Sequence, residues 1–442
     1  MPITHGKAVG GMRKLRVLVL AESANPEWTS VPLVGWNLAN ALSKVANVHV
    51  VTQIRNRDAF LRKGWIEGQD FTAIDNEKVV APLHRIATRI RGGDNQGWTT
   101  VMAVMAFAYY SFEWQVWRRF RQQLIAHDFD LVHRVTPVSP TIQSLIASRL
   151  ARIGVPFVVG PLNGGVPWPK GFRHRQHAER EFLSNIRRLY QLMPAYRSMR
   201  RSSSAIICGS TFTQDEIPDW ARQKSVFIPE NGVDGELFCL SRSSSTSSVL
   251  QGAFVGRLVP YKGADLLIRA AEPFLKDGVL KLHIIGDGPQ GEALRQMVNS
   301  LGLEQSVLFH GWVPHSKIQE RLIACDFLGF PSIREFGGGV VVEAMAVGVT
   351  PIVADYGGPA DLVNDETGIR VPFGDEESLV RGFRSAIANA IQNPQLLNRL
   401  GSAARARVLR TLTWEAKAQQ MLRIYHSVMS SDGDLPALGF PR

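Results

Sequence analysis

The sequence predicts an α/β protein with two domains, each built on a parallel sheet that helices cover on both faces. Short, continuously apolar segments alternate with stretches of helical periodicity, which is typical of strands buried on both faces. Several of these segments end in Gly, Ser or Pro directly before a helical stretch, as strands of doubly wound sheets do at their carboxyl ends. A serine-rich stretch at 237–250 interrupts the alternation and is typical of a linker between domains.

The strands of both domains can be placed in order along the chain. Six apolar segments of the first half predict strands that begin near Leu15, Asn47, Asp130, Val155, Ala205 and Ser225. Six more in the second half begin near Val249, Lys281, Val307, Asp326, Thr350 and Thr367. From Trp414 the apolar residues recur at helical spacing, which predicts a final amphipathic helix.

Composition excludes several classes of protein. With 442 residues, 45% of them hydrophobic and 20% charged, the chain is globular rather than disordered or fibrous. Three scattered cysteines are too few for a disulfide framework or a zinc cluster, which favours a reducing compartment. The N-terminal segment lacks the pattern of a signal peptide, and the longest apolar run, 101–112, is too short to span a bilayer. We therefore expect a cytoplasmic protein.

The positive charge is confined to the first half. Residues 1–240 hold 30 basic and 19 acidic residues, an excess of +11, whereas residues 241–442 hold 20 of each. Such an excess indicates an anionic partner, for example a phosphorylated acceptor or the inner face of an anionic membrane, or it serves only solubility. The apolar stretch before Arg118 is more typical of a buried helix than of a membrane-facing one. Nucleic acid is not expected, because no nucleic-acid-binding module is recognisable.

Two segments of the second half predict an anion site where strands end. In GRLVPYKG, Gly256 allows a close backbone approach, while Arg257 and Lys262 supply a planar fork and a compact charge for phosphate oxygens. In GDGP, Gly286 begins a tight turn after the next strand. A helix that starts near Ala264 would add backbone donors to the same site.

A third segment, REFGGGVVVEAMAVG, combines glycines with two carboxylates. Gly337, Gly338 and Gly339 expose backbone N–H groups at the start of a predicted helix, which is a cradle for an anion. Glu335 precedes them, where it can accept sugar hydroxyls, and Glu343 lies about two turns into the helix, where it can accept a vicinal diol such as ribose.

Together these segments resemble the retaining, nucleotide-sugar-dependent glycosyltransferases of family 4. The resemblance runs from Asn231 to Gly368 and includes NGVD, GRLVPYKG, GDGP, FHGWV and the two glutamates separated by seven residues. It implies the GT-B fold, in which two Rossmann-like, doubly wound domains face each other across a cleft. Residues 1–238 would bind the acceptor, residues 239–413 would bind the donor, and the helix over 414–442 would pack back on the first domain.

The resemblance also implies roles for individual residues. Arg257 and Lys262 would hold the diphosphate, Glu343 the ribose, and Glu335 the transferred sugar. The remaining donor-binding residues would be Gly35, Asn231, Gly256, Gly286, Gly337, Gly338, Gly339 and Val340. In the first half, His133 follows a strand where the family often carries a histidine that is catalytic or orients the acceptor; a satisfied structural histidine is the equal alternative.

The segment GPLNGGVPWPKGF predicts a wall of the cleft on the acceptor side. It begins where a parallel strand should end, and long ordered loops are often functional. Asn163 and Gly164 could present hydrogen-bonding groups, and Trp168 could stack on a sugar ring; a rigid Pro/Gly connector is the alternative.

The function predicted is that of a retaining, metal-independent hexosyltransferase in polysaccharide or glycolipid assembly. Its substrates would be a nucleotide sugar and a sugar or lipid-linked acceptor, without a cofactor or a metal site. A nucleotide-sugar epimerase or another GT-B enzyme is the alternative, and a non-catalytic nucleotide-binding protein is less favoured because both glutamates and both cations are present.

Overall fold

The computed structural model describes residues 13–82, 98–172, 174–175, 190–242, 249–430 and 435–436. Its strands form two separate sheets in which the paired strands run parallel, so the predicted α/β class is confirmed. Three of the basic residues that contribute to the charge of the first half, Arg173, Arg187 and Arg188, lie outside the described residues. So do the serines of the predicted linker at 243–248 and most of the chain after residue 430.

The first sheet has the strand order β3-β2-β1-β4-β5-β6-β7. These strands are β1 (Arg16–Ala21), β2 (Asn47–Gln53), β3 (Phe71–Ile74), β4 (Leu131–Thr136), β5 (Phe157–Leu162), β6 (Ala205–Cys208) and β7 (Ser225–Phe227). Every residue of β4 and β5 is buried, which explains why both segments are continuously apolar apart from His133, Arg134 and Thr136.

Helices connect and cover these strands. They are α1 (Val31–Val45), α2 (Arg57–Arg62), α3 (Trp98–Ile125), α4 (Ile146–Arg152), α5 (Tyr196–Ser202), α6 (Thr211–Asp215) and α7 (Asp219–Arg222), with short 3₁₀ turns at Ile54–Asn56 and Lys170–Phe172. On α3, Phe112, Val116, Phe120 and Leu124 are buried at helical spacing, as the burial alternative predicted. The opposite side of α3 exposes Phe107 and Trp114.

The second sheet has the strand order β10-β9-β8-β11-β12-β13. These strands are β8 (Leu250–Val255), β9 (Leu280–Ile285), β10 (Val307–Gly311), β11 (Phe327–Phe330), β12 (Thr350–Ala354) and β13 (Ile369–Val371). The helices are α8 (Ala264–Lys276), α9 (Gly291–Leu301), α10 (Ile318–Leu322), α11 (Gly339–Ala346), α12 (Gly358–Leu362), α13 (Glu376–Gln392) and α14 (Pro394–Thr411), with 3₁₀ turns at Pro260–Lys262 and His315–Lys317. In each sheet the strand order reverses beside the first strand, β1 or β8, and ligands of such sheets bind outside the carboxyl ends at that point.

The last helix, α15 (Trp414–Met429), contacts α1 and the core of the first sheet. Thr413 caps it by accepting a hydrogen bond from the Ala416 N–H at 3.1 Å. Immediately before α15, the Val233 N–H donates to the Leu412 carbonyl at 2.9 Å and the Trp414 N–H donates to the Val233 carbonyl at 3.1 Å. The two passages of the chain between the sheets therefore run side by side. Among the described residues, none of the helices combines the length and apolarity needed to cross a bilayer.

Candidate active site

The carboxyl ends of β8 and β9 approach each other through glycine. A Cβ on Gly286 would overlap the Gly256 carbonyl, and the Gly256 N–H donates to the Ile285 carbonyl at 3.0 Å. Gly286 has a φ of 138°, which L side chains rarely adopt. This close contact places the exposed Arg257 directly at the end of β8, beside the point where the strand order reverses.

Lys262 and Glu335 form an ion pair at this edge of the sheet. Lys262 ends the 3₁₀ turn after β8, and Glu335 follows β11, so the pair joins two strands that neighbour each other. The Lys262 ammonium donates to Glu335 Oε2, and each side chain is less than one-fifth exposed. Burial alone would lower the pKa of Lys262, but the Glu335 carboxylate outweighs it and the pKa is raised. Lys262 therefore stays protonated at neutral pH.

The three glycines after Phe336 lie at the start of α11. Gly338 is its N-cap with a φ of 69°, Gly339 is its first residue, and Val340 follows in its first turn. A Cβ on Gly337 would overlap the Asn231 amide, so the loop before α11 packs closely against the NGVD segment. The structure thus brings Asn231 and the three glycines together, with the backbone N–H groups of a helix start beside them.

Glu343 lies on α11, where it accepts a hydrogen bond from His315 Nε2 over 2.8 Å. His315 was not predicted as a site residue, since it stands 28 positions before Glu343 and carries no local signal. The hydrogen bond that His315 donates to Glu343 raises the pKa of His315. Burial opposes this rise, and the negative charge of Glu343 adds to it. The carboxylate keeps a second oxygen for a further donor.

Asn163 joins the two halves of the chain. Its amide Nδ2 donates to Glu230 and, over 3.0 Å, to the Phe336 carbonyl, while its Oδ1 accepts the Gly164 N–H over 2.8 Å. Asn163 is itself buried, so these partners occupy its amide. Gly164 also accepts a hydrogen bond from Thr213 at 3.3 Å through its carbonyl. Asn163 and Gly164 thus lie between the first sheet and the loop at 334–338, called the Glu335 loop below. Their contact with an acceptor stays a prediction.

Glu230 is a buried carboxylate that sequence reasoning missed. It directly precedes Asn231, and a charged residue at the end of an apolar strand segment was the available signal. Burial raises the pKa of Glu230, and the nearby Glu335 adds to the rise. Lys417 of α15 lies on the other side and donates to the carbonyls of Pro229, Glu230 and Asn231. Burial lowers the pKa of Lys417 to about 7.

His133 is enclosed in the first sheet. Its Nε2 donates to the Gly160 carbonyl at 2.7 Å, and its Nδ1 accepts from the Tyr425 hydroxyl at 2.6 Å. Both ring nitrogens are therefore occupied, and burial lowers the pKa of His133 to about 4, so the ring is neutral. This geometry corresponds to the alternative of a satisfied structural histidine and gives the catalytic prediction no support.

Trp168, which was predicted to stack on a sugar ring at the cleft, is buried instead. It is only 9% exposed, packs with the apolar core of the second sheet, and has the Arg334 guanidinium 5.1 Å from its ring centre. Stacking on a sugar needs an exposed ring face, which this packing removes.

Gly35 lies on α1, where an added Cβ would overlap the Ser23 carbonyl. Its closest neighbour is thus the protein's own backbone, and donor binding by Gly35 stays a prediction.

The second sheet and its helices match a known protein family. The sequence profile of the family described as glycosyl transferases group 1 matches residues 250–407. Over residues 250–407 the chain is therefore similar to the group 1 glycosyltransferases. The matched range contains the loop at 256–263, which is predicted to bind phosphate and is called the phosphate loop below, together with the Glu335 loop and α11. Asn231 and the first-sheet residues lie outside the match.

Two curated relatives match longer stretches of the chain than the family profile does. The D-inositol 3-phosphate glycosyltransferase of Corynebacterium glutamicum is 34% identical over 41% of this chain and 44% of its own length. The alpha-maltose-1-phosphate synthase of Mycolicibacterium smegmatis is 29% identical over 52% of this chain and 65% of its own length. The chain thus spans about half the length of the curated relatives it matches.

Two solved structures share the fold over nearly the whole chain. Anabaena HepE, solved in complex with UDP, has a TM-score of 0.61 and 18% identity, and the match covers 93% of this chain and 100% of HepE. Sucrose-phosphate synthase from Thermosynechococcus elongatus has a TM-score of 0.58 and 17% identity, covering 94% and 99% of the two chains. The predicted GT-B fold, with two Rossmann-like domains, is therefore confirmed.

Proposed function

We propose that this protein transfers a hexosyl unit from a nucleoside diphosphate sugar to an acceptor hydroxyl with retention of anomeric configuration. The observation that carries the proposal is the grouping of Lys262, Glu335 and the start of α11 at the carboxyl edge of the second sheet. Cations and helix N–H groups suit a diphosphate, and the adjacent carboxylate suits sugar hydroxyls.

The chemistry follows from where charge develops. As the glycosidic bond breaks, the departing diphosphate gains negative charge, and preorganised donors nearby lower the barrier. Lys262 stays protonated beside Glu335, so binding of the diphosphate would give its ammonium a second anionic partner. Arg257 would add a planar fork from the end of β8. These two cations would stabilise the leaving group without a metal ion.

The acceptor side supports a sugar or lipid-linked acceptor at the cytoplasmic face of an anionic membrane. Helix α3 exposes Phe107 and Trp114, and the Arg118 guanidinium lies 4.7 Å from the Trp114 ring centre. Arg197 and Arg201 are also exposed, whereas Arg200 is buried against the Tyr196 ring. Exposed aromatic and basic side chains together are typical of proteins that rest on a membrane surface.

The donor half of the proposal is tested first. Purified protein is heated with UDP, GDP, ADP and their hexose conjugates, because a ligand of the native state raises the melting temperature. A nucleotide sugar that stabilises the protein is then incubated with candidate acceptors, with and without a chelator. Release of nucleoside diphosphate that depends on the acceptor, and a product of retained configuration by NMR, are expected. An epimerised sugar from donor alone, or nucleotide binding without turnover on any acceptor, would contradict the proposal.

A further inference from the structure

A segment of the first half reaches across to the second sheet. We call residues 166–172 and 174–175, which follow β5, the strap. Phe172 of the strap is fully buried, packs in the apolar core of the second sheet and lies 5.7 Å from the Phe373 ring, measured between ring centres. Trp168 belongs to the same core. Two large apolar side chains thus anchor a first-half segment in the second domain.

The backbone of the strap is bound at two further points. Arg334 Nε donates to the Val166 carbonyl at 3.1 Å, and the Tyr356 hydroxyl donates to the Pro167 carbonyl at 2.8 Å. Arg334 follows β11 and Tyr356 follows β12, so both donors come from the edge of the sheet that carries Glu335. The strap therefore lies against the loops of the candidate donor site.

Arg175 makes the strongest of these contacts. Its guanidinium binds the Asp265 carboxylate in bidentate fashion, over 3.0 and 2.7 Å, and its Nε donates to Glu376. Asp265 lies in the first turn of α8 and Glu376 in that of α13. Arg175 is only 5% exposed, so water screens these charges little. Planar bidentate pairing of this kind is specific to arginine.

Arg175 also contacts the phosphate loop itself. Its Nη1 donates to the Pro260 carbonyl at 2.6 Å, and Pro260 begins the 3₁₀ turn that Lys262 ends. A side chain of the first half thereby fixes the backbone two residues from the ammonium that pairs with Glu335.

The contacts of the strap oppose separation of the two domains. The chain passes between the sheets at Val233 and at Leu412–Trp414, and a rotation there would draw the strap away from the second domain. That motion would expose Phe172 and separate Arg175 from Asp265 and Glu376. Opening is therefore opposed, because it would break the charge-assisted hydrogen bonds of Arg175 and expose a large apolar side chain.

We propose that the strap holds the cleft closed and positions the phosphate loop, with Arg175 as the positioning residue that acts through Pro260 on Lys262. This inference rests on the proposed function, since it assumes that Lys262 binds the donor diphosphate. Arg175 itself touches no donor in this arrangement. The first half of the chain then contributes to donor binding through the strap as well as to acceptor binding.

The first experiment measures donor affinity and domain separation in Arg175→Gln. The probes are UDP, GDP and ADP, whose binding is followed by titration calorimetry, while small-angle X-ray scattering gives the radius of gyration. We expect the dissociation constant of the nucleotide that the wild type binds to rise about tenfold, because a displaced binding group loses much of its effect. The radius of gyration should increase. Arg57→Gln, an exposed arginine paired with Glu67 far from the strap, is the matched control.

The second experiment restores the strap by a disulfide. A Cβ on Gly171 would lie 3.6 Å from the Asp375 Cβ, within the range that a disulfide spans. Gly171→Cys and Asp375→Cys are combined with Arg175→Gln, and the exposed Cys239 is changed to Ser to prevent mispairing. Because Asp375 caps α13, each single cysteine variant serves as a control. Oxidation should return both the nucleotide affinity and the radius of gyration to wild-type values, and reductant should reverse both.

The outcomes separate the strap from the proposed function. Unchanged nucleotide affinity and radius of gyration in Arg175→Gln would overturn the proposed role of the strap. A loss of affinity that oxidation of the disulfide variant does not restore would overturn it as well. A wild type that binds none of the three nucleotides contradicts the donor assignment instead, and the radius of gyration still tests the strap. Should Arg175→Gln fail to fold, Tyr356→Phe, which removes the hydroxyl that donates to the Pro167 carbonyl, is measured in the same way.

Discussion

At the scale of single residues, the candidate site depends on pairs of opposite charge that come from separate strands. Lys262 follows β8 and Glu335 follows β11, and the two form an ion pair. Glu343 is paired in the same way with His315, which precedes α10. Each pair can exchange a protein partner for a ligand group, which is what a substrate site requires.

Lys262→Ala and Arg257→Ala should each lower turnover about a hundredfold, because each would remove one donor that stabilises the charge of the leaving diphosphate. Steady-state assays with the nucleotide sugar identified by the binding screen measure this. Lys281→Ala, at an exposed position of β9, is the matched control and should leave turnover unchanged. Near-wild-type turnover in both site variants would contradict the assignment of Lys262 and Arg257 to the donor diphosphate.

Glu343→Gln and Glu335→Gln should affect different kinetic constants. Glu343 is assigned to the ribose, a contact present before the reaction, so its variant should mainly raise the KM for the donor. Glu335 is assigned to the reacting sugar, so its variant should mainly lower kcat. The measurement is a donor titration at saturating acceptor. A change confined to donor affinity in Glu335→Gln is the result that contradicts its assigned role.

His315 should make stability depend on pH. Its pKa is raised above the ordinary value of 6.5 by Glu343, so its contribution to folding is complete below pH 6.5 and is lost as pH rises through the raised pKa. Urea unfolding at several pH values should show the largest difference between wild type and His315→Gln at the acidic end. The exposed His426→Gln is the control. A difference that grows with pH would have the wrong sign for this pairing.

At the scale of elements, α15 belongs to the first domain although it follows the second in sequence. Met421, Ile424 and Tyr425 of α15 are fully buried in the core of the first sheet. The Tyr425 hydroxyl also donates to His133, so β4 and α15 share a polar contact inside an apolar core. We expect the folding of the first domain to require α15.

Met421→Ala should lower the free energy of unfolding by about 2–5 kcal/mol, since it would leave a cavity in a tightly packed core. Chemical denaturation measures the loss, and Arg423→Ala, on the exposed side of α15, is the control. Amide hydrogen exchange locates it: exchange should become faster in α1 and stay unchanged in α8. Equal acceleration in both helices would mean that α15 stabilises the second domain as well.

Much of the fold could be predicted from the sequence because strands buried on both faces are continuously apolar. The four-residue β3 was missed, since FTAI is too short to stand out from its surroundings. The packing of Trp168 could not be predicted either, because its partners, Arg334 and the core of the second sheet, lie far along the chain. The same reason hid His315 and Arg175. Local motifs were enough to place Lys262 and the glycines near strand ends, because these residues follow the strands closely in sequence.

At the scale of the whole molecule, the charge of +11 in residues 1–240 against zero in the rest makes the two halves unequal toward anionic surfaces. The structure refines which side chains count. Arg200 is buried and donates to Gln143 at 2.9 Å, so it is unavailable to a membrane. Arg197 and Arg201 stay exposed, and the Arg201 guanidinium lies 5.6 Å from the Trp220 ring centre.

Changing Arg197 and Arg201 to Gln should reduce co-sedimentation with anionic vesicles, because each basic residue near such a surface contributes about 1 kcal/mol. Binding of the wild type should fall at about 1 M salt, where the Debye length is about 3 Å. Arg57→Gln combined with Arg62→Gln, which changes two exposed arginines paired with glutamates, is the control. Equal binding of the wild type to neutral and anionic vesicles would mean that the positive charge serves solubility or a soluble acceptor rather than a membrane.

The side-by-side passages at Val233 and Leu412–Trp414 make the proposed donor half, residues 234–411, a unit that could be exchanged. Its two ends lie one hydrogen bond apart, 2.9 Å from the Val233 N–H to the Leu412 carbonyl, so a short glycine-serine turn could close the gap that its removal leaves. A donor half from another GT-B protein could enter at the same two cuts without stretching the host. Because Trp168 and Phe172 pack into the present donor half, they would have to be matched to the incoming one. Exchanging the sugar specificity by recombination would therefore require that the incoming half fit the host at the two junctions and at the contacts of the strap.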